Sequence, residues 1–449
     1  MRAQQGGALG RAARSRLVVA LVLAADLAIG AAGGALATFH DDPATVVQTG
    51  SASAATAVRA RSVHALLEHR SHGVLHRDKA EFMATVDSTQ LRFAASQSKL
   101  FDNLAVIPLS DWRYLLNASQ EDPARTQAMQ RYRSLTWVPQ VELRYAIRGF
   151  DTVASLVPQK LTFVLRDQGW LIGSDSDFAD AGSPSGKGIW DFGPVSVVTG
   201  KTSLVLGHRR TTARLRNLAG LADDAVAHAT EVWGTRWSRH VVLIVPDTQE
   251  ELAAIISEGN DLSQIAAVAV AQNPASGDGT QRRVVGDRVL VNPVNFDRLS
   301  EIGRRVVLRH ELTHVATRSA TGAIMPSWLV EGFADYVGYL QAGIAVPVVA
   351  HELEVDVRAG RFPADLPTDS DFLSTASGLA QSYEMAWLAC RLIANTYSQE
   401  TLVAFYRAVG ASKRSTEVAA LEDACRKVLG ISYSTFVARW RSDVRAELK

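Results

Sequence analysis

The chain has 449 residues, 47% hydrophobic and 21% charged, with 47 lysines and arginines against 46 aspartates and glutamates. This is a globular composition with length for two to four domains of roughly 100–200 residues each. A net charge of +1 argues against nucleic acid as a partner, because such binding needs a basic stripe on one face. With Cys390 and Cys425 its only cysteines, the chain has no disulfide framework and no CxxC metal or redox motif.

Arg2, Arg11, Arg14 and Arg16 precede an apolar run from Leu17 to about Phe39. Positive charge stays on the cytoplasmic side, so the rest of the chain is expected outside the cytoplasm. Residues 1–40 read in two ways. About 20 apolar residues can span a bilayer as a signal anchor. Ala35-Leu36-Ala37 also fits the cleavage pattern of a signal peptide. Asp26 would cost a central span roughly 2.5–3.5 kcal/mol, but the run is long for a cleavable signal. The anchor is the preferred reading and secretion the alternative. Outside the cytoplasm Cys390 and Cys425 can pair as a disulfide or remain two buried thiols.

Residues 41–56 are small and polar, a linker. Val63, Leu66, Leu67 and Val74 then fall at helical spacing. Val141, Leu143, Tyr145 and Ile147 alternate with polar residues, the pattern of a half-buried strand, and so do Leu161, Phe163 and Leu165. Asp167-Gln168-Gly169 turns this second strand toward Trp170-Leu171-Ile172 as a hairpin. A helical stretch followed by antiparallel strands, over about residues 57–178, resembles the cone-shaped NTF2-like (SnoaL-like) module. The resemblance implies an α+β domain over 57–180.

Residues 181–194 hold four glycines and two prolines and read as a second linker. Beyond it the pattern predicts a helix over 211–233, a fully apolar strand over 241–245, a helix over 248–258 and a strand over 288–292. Two further helices are expected over 300–318 and 328–341, the second starting from Ser327 as N-cap. Residues 195–449 are thus expected to form a mainly helical domain with a small mixed sheet, in a chain of α+β class.

The chemistry gathers on the last two helices. His310 and His314, in His310-Glu311-Leu312-Thr313-His314, are four residues apart, so both imidazoles lie on one helix face and can reach one ion. Imidazole suits Zn²⁺. Glu311 stands beside the first histidine, where it can take a proton from a water acidified by the metal. A motif this short also arises by chance. The next helix, Trp328–Gln341, changes that balance, because Glu331 and Asp335 are again four apart on one face. A zinc hydrolase needs three protein ligands and an open position. Glu331 can be the third ligand, and Asp335 can hold the outer nitrogen of a ligand histidine.

HELTH followed by WLVEGFADY resembles the gluzincins, the thermolysin-like branch of zinc peptidases, and more closely the bacterial peptidase MA-like domain proteins. The resemblance covers about residues 195–449 and is carried by residues 310–336. It implies zinc held by His310, His314 and Glu331, Glu311 as general base and acid, Asp335 as supporting carboxylate, and a peptide or protein substrate. It also implies an edge strand at Val289–Asn292 that pairs with the substrate backbone. Tyr383 matches the place where related peptidases carry a tyrosine that stabilises the oxyanion; Tyr336 and Tyr339 are weaker candidates. Thr317 and Ala320 stand where a metzincin would need glycine and histidine. The GAMEN signature of large aminopeptidases is absent, which puts amino-terminal trimming in doubt. Two rival readings stay open: an amide hydrolase acting on the cell wall, and a non-catalytic binding protein working through its NTF2-like module.

Several lookalikes carry less weight. His351-Glu352-Leu353 begins like a second zinc motif, but Val355 replaces the second histidine. His64, His69, His72 and His76, with Glu68, read as a solvated helix face. Asn117-Ala118-Ser119 fits a glycosylation pattern, and Asp356, Arg358 and Arg361 read as a charged helix face and loop.

Overall fold

The computed structural model describes residues 54–121, 130–179, 184–208, 212–256, 265–272 and 285–449. The apolar run at 17–39 lies outside them. Among the described residues no helix is long and apolar enough to cross a membrane. The fold is mixed α+β, mostly helical with small sheets.

Three helices come first: α1 (Ala54–His76), α2 (Lys79–Ala84) and α3 (Leu91–Leu104). Six strands follow: β1 (Leu109–Glu121), β2 (Thr136–Trp137), β3 (Pro139–Ile147), β4 (Ser155–Gln159), β5 (Thr162–Arg166) and β6 (Gly169–Ser174). They form two antiparallel sheets, ordered β1-β3-β4 and β2-β5-β6. The alternation expected in β3 is present: Val141, Leu143, Tyr145 and Ile147 are all buried. Residues Asp167 and Gln168 turn β5 into β6, and Gly169 takes the left-handed φ of +118° that the turn requires. Ala60, Val63 and Leu67 of α1 pack on Trp137, Phe163 and Ile172.

A five-stranded sheet follows, built from β7 (Val195–Thr199), β8 (Ser203–His208), β9 (Val241–Val245), β10 (Ala267–Gln272) and β11 (Val285–Val291), in the order β10-β11-β9-β8-β7. The inner neighbours β8, β9 and β11 are parallel; β7 and β10 run antiparallel at the two edges. Both faces are covered, and this explains why β9 is apolar at every position. Val241, Leu243 and Val245 pack with α4 (Thr212–Trp233) and α7 (Glu301–Thr317). Val242 and Ile244 face the other way, into a core shared with Phe101, Trp112 and Tyr145 of the N-terminal elements. The N-terminal elements therefore cover the sheet face opposite α7.

Short helices α5 (Gln249–Ile256) and α6 (Pro293–Arg298) pack on opposite faces of the sheet, Leu252 and Ile256 in the core with Leu290, and Phe296 in the core with Val289. The rest is helical: α8 (Ser327–Tyr339), α9 (Val346–Val349), α10 (His351–Arg358), α11 (Leu379–Thr396), α12 (Gln399–Gly410), α13 (Glu417–Ala424) and α14 (Tyr433–Leu448). Their core includes Trp328, Phe333, Phe405, Tyr406, Phe436 and Trp440.

Two expectations are corrected. The segment Val289–Asn292 is not at the sheet edge. β11 is paired on both sides and ends at Val291, while the buried Asn292 caps α6, its side chain accepting from Val294 N at 3.0 Å. The edge belongs to β10, whose small apolar residues left it unassigned. Ser327 is not the cap of α8 but its first residue, and its N–H donates to Asp369 Oδ1 at 2.8 Å. Cys390 and Cys425 are both buried free thiols.

Candidate metal centre

Helix α7 carries His310, Glu311 and His314, all buried although polar. It can hold them there because the sheet and α4 cover one side and α8 the other. Ser300 caps its start by accepting from Gly303 N at 3.1 Å. Helix α8 brings Glu331 and Asp335 against it. Two glycines allow the close crossings: a Cβ at Gly338 would lie 3.1 Å from Val306 O of α7, and one at Gly332 only 2.3 Å from Ala386 O of α11.

His310 Nε2 and His314 Nε2 lie 2.9 Å apart, and Glu331 Oε2 is 3.3 Å from the first and 3.5 Å from the second. Among the described residues this is the group of three side chains whose ligand atoms converge closely enough to hold a metal ion. Atoms this close together could all reach a single ion at the roughly 2.0–2.1 Å that zinc prefers. Glu331 Oε2 is buried with no hydrogen-bond donor, an unmet demand that a cation would satisfy. On the far side of His310, Nδ1 donates to Asp335 Oδ1 at 2.8 Å. In the neutral ring, that bond leaves Nε2 as the nitrogen with a free lone pair toward His314 and Glu331.

Burial and charge act on these groups in opposite directions. Burial pushes Glu331 up, but His314 and His310 outweigh it and hold the carboxyl down at about 2. Burial opposes a charge on His310, and Asp335 outweighs burial, so the imidazole is held well above its ordinary range. Burial dominates for Glu311 and lifts it to about 7, the range of a base that works near neutrality. Its Oε2 accepts from Ala269 N of β10 at 2.7 Å. No side-chain pattern in the sequence points to Ala269, because its part is played by the backbone.

Tyr383 is buried on α11 with its ring edge-on to Phe372, centroids 5.2 Å apart. The Asp369–Phe372 turn also accepts, through Asp369 Oδ1, from Ser327 N at the start of α8. Tyr339 packs against Trp387, and Tyr336 Oη donates to Gln399 Oε1 at 3.4 Å. His351 pairs with Glu354 on α10, and His72 stacks on His76 beside Glu81, on an exposed stretch of α1. Asn117 is buried and accepts from Ser119 N at 3.1 Å. Asp356 pairs with Arg361, and Arg358 with Glu354.

No family model matches the chain, and no curated protein matches it. Among solved structures, the chain is similar to a two-domain M1 zinc metallopeptidase, a mutant bound to L-arginine, at 14% identity and a TM-score of 0.29. The match covers 57% of this chain and 52% of that one, so it spans about half of the M1 protein's length.

Proposed function

We propose that this chain is a zinc-dependent hydrolase that cleaves peptide bonds, with residues 1–40 anchoring it in a membrane and the remainder outside the cytoplasm. The observation that carries the reading is the buried convergence of His310, His314 and Glu331, with Asp335 behind His310. These are the residues that would hold zinc. When bound, zinc acidifies a water and polarises a carbonyl.

The chain's own residues supply the rest. Glu311, adjoining the ligand set and held by Ala269 N–H, takes a proton from the attacking water and returns it to the departing amine. Asp335 fixes the tautomer of His310 and holds the ring in place. Burial of all five polar side chains keeps competing water from their charges. Tyr383 is our candidate for the group that steadies the negative charge developing on the carbonyl oxygen. The residues over 57–180 we read as an NTF2-like module.

The test is a peptide library offered to the zinc-loaded wild type and to Glu311→Gln. Cleavage by the wild type, abolished in the variant while zinc remains bound, supports the mechanism. Full turnover by the variant would sink it. Zinc-dependent cleavage of cell-wall amides, with no peptide cut, would move the substrate class and keep the centre.

A further inference from the structure

We propose that Arg318 is a positioning residue for the base: its guanidinium clamps the edge strand β10 to the end of the ligand helix, so that Ala269 N–H holds the Glu311 carboxylate. The inference rests on the hydrolase reading for its catalytic consequence but not for its geometry.

Asn292 N donates to Ala266 O at 2.8 Å, and Ala269 lies opposite Val289. Hydrogen-bonded pairs alternate in an antiparallel ladder. Val268 and Val270 therefore bond to β11, while the N–H and C=O of Ala269 face away from it. Both outward groups are engaged by α7 and its continuation. The N–H donates to Glu311 Oε2 at 2.7 Å, and the C=O accepts from Arg318 Nη2 at 3.1 Å. Arg318 caps the C-terminus of α7, one turn beyond His314 and on the same face. Its Nε lies 2.8 Å from Asp287 Oδ1 on β11. Asp287 is two residues before Val289, so it shares the strand face that packs on α7.

One side chain thus ties two neighbouring strands to the helix that carries His310 and His314. The clamp matters because, among the described residues, β10 has a strand partner on one side only. Without the guanidinium, the Glu311 carboxylate is the remaining described partner of the outer groups of Ala269. A carboxylate that must hold its own strand in place is free to drift from the attacking water, and small displacements of a catalytic group cost rate steeply.

The experiment uses the full-length, zinc-loaded protein and the variants Arg318→Met, Arg318→Lys and Asp287→Asn. Amide exchange over residues 266–272 is measured together with zinc content, kcat and KM. Arg318→Met is expected to speed exchange at Ala269 about tenfold. It should lower kcat about tenfold or more, with KM within about twofold and zinc content unchanged. Arg318→Lys, which can keep one contact, should fall between, and Asp287→Asn should move the same way if Arg318→Met folds poorly. Unchanged exchange, or an unchanged kcat, overturns the clamp. A wild type that cleaves no peptide, with exchange still raised in Arg318→Met, supports the clamp and defeats the peptidase reading.

Discussion

Arg288 and Asp151 form a two-pronged ion pair, Nη1 to Oδ1 and Nη2 to Oδ2, each contact 2.7 Å long, with both side chains almost fully buried. Arg288 is on β11 and Asp151 is in the turn after β3, so the pair ties the N-terminal elements to the sheet that carries the edge strand. Asp151 also accepts from Ile147 N at 2.7 Å. Breaking a buried pair by removing one partner typically costs about 3–5 kcal/mol, because the other charge is left uncompensated. Asp151→Leu is therefore expected to destabilise the protein by about that amount in urea unfolding. The double variant Asp151→Leu/Arg288→Met should recover most of the loss. Equal losses in the single and double variants would show that the ion pair is not the cause.

The candidate metal centre predicts its own pH dependence. His310 is held above its ordinary value by Asp335, while a zinc ligand must be neutral. Zinc uptake should therefore release protons, and affinity should weaken as pH falls through that raised value. Chelator competition across a pH series, starting from one zinc per chain, measures this. Glu331→Ala should lose the metal. Asp335→Asn should weaken binding roughly 10–100-fold, the usual effect of a partner that orients a ligand. Stoichiometric, tight zinc in Glu331→Ala would remove Glu331 from the ligand set.

Gly332 follows Glu331 directly, and it is where α8 meets the backbone of α11. A Cβ there would come within 2.3 Å of Ala386 O, a clash with backbone that no rotamer change relieves. Gly332→Ala should cost about 1–3 kcal/mol, the range for overpacking, and weaken zinc binding by shifting Glu331. Thermal melting and zinc titration check both. Wild-type melting with wild-type zinc affinity would mean that the helices separate freely at this crossing.

What the sequence discloses here follows from which atoms do the work. HELTH and WLVEGFADY are legible because side chains at helical spacing carry them, and the structure brings His310, His314, Glu331 and Asp335 together. The fully apolar β9 reads correctly as a strand, and the structure adds that both its faces are covered. By contrast, β10 acts through the backbone of Ala269, and neither alanine nor a short apolar stretch advertises that. Arg318 and Asp287 look like ordinary surface charges until the strands are placed. The Arg288–Asp151 pair joins residues 137 apart, and no local pattern encodes such a contact. Ser327 read as a cap because serine favours that place, yet Asp369, a tertiary neighbour, supplies the acceptor.

Glu384 offers a pH signature independent of the metal. Its carboxylate is buried on α11 and caps α10, accepting from Glu352 N at 3.2 Å and Leu353 N at 2.6 Å. Burial nevertheless lifts it from an ordinary 4.5 to about 8, with Glu352 and Asp356 adding to the rise. Between those values the folded protein holds a proton that the unfolded chain has released. The stabilising effect is thus fully present below the ordinary value and is lost as pH rises through the raised one. Glu384→Gln cannot ionise and keeps one oxygen as acceptor. Its fixed cost of a poorer cap should not vary with pH, so the trend is diagnostic rather than the offset. Relative to wild type, the variant should melt lowest at about pH 5 and gain steadily toward about pH 9. Melting curves that stay parallel across that range would mean that Glu384 ionises in the folded protein as it does in the unfolded chain.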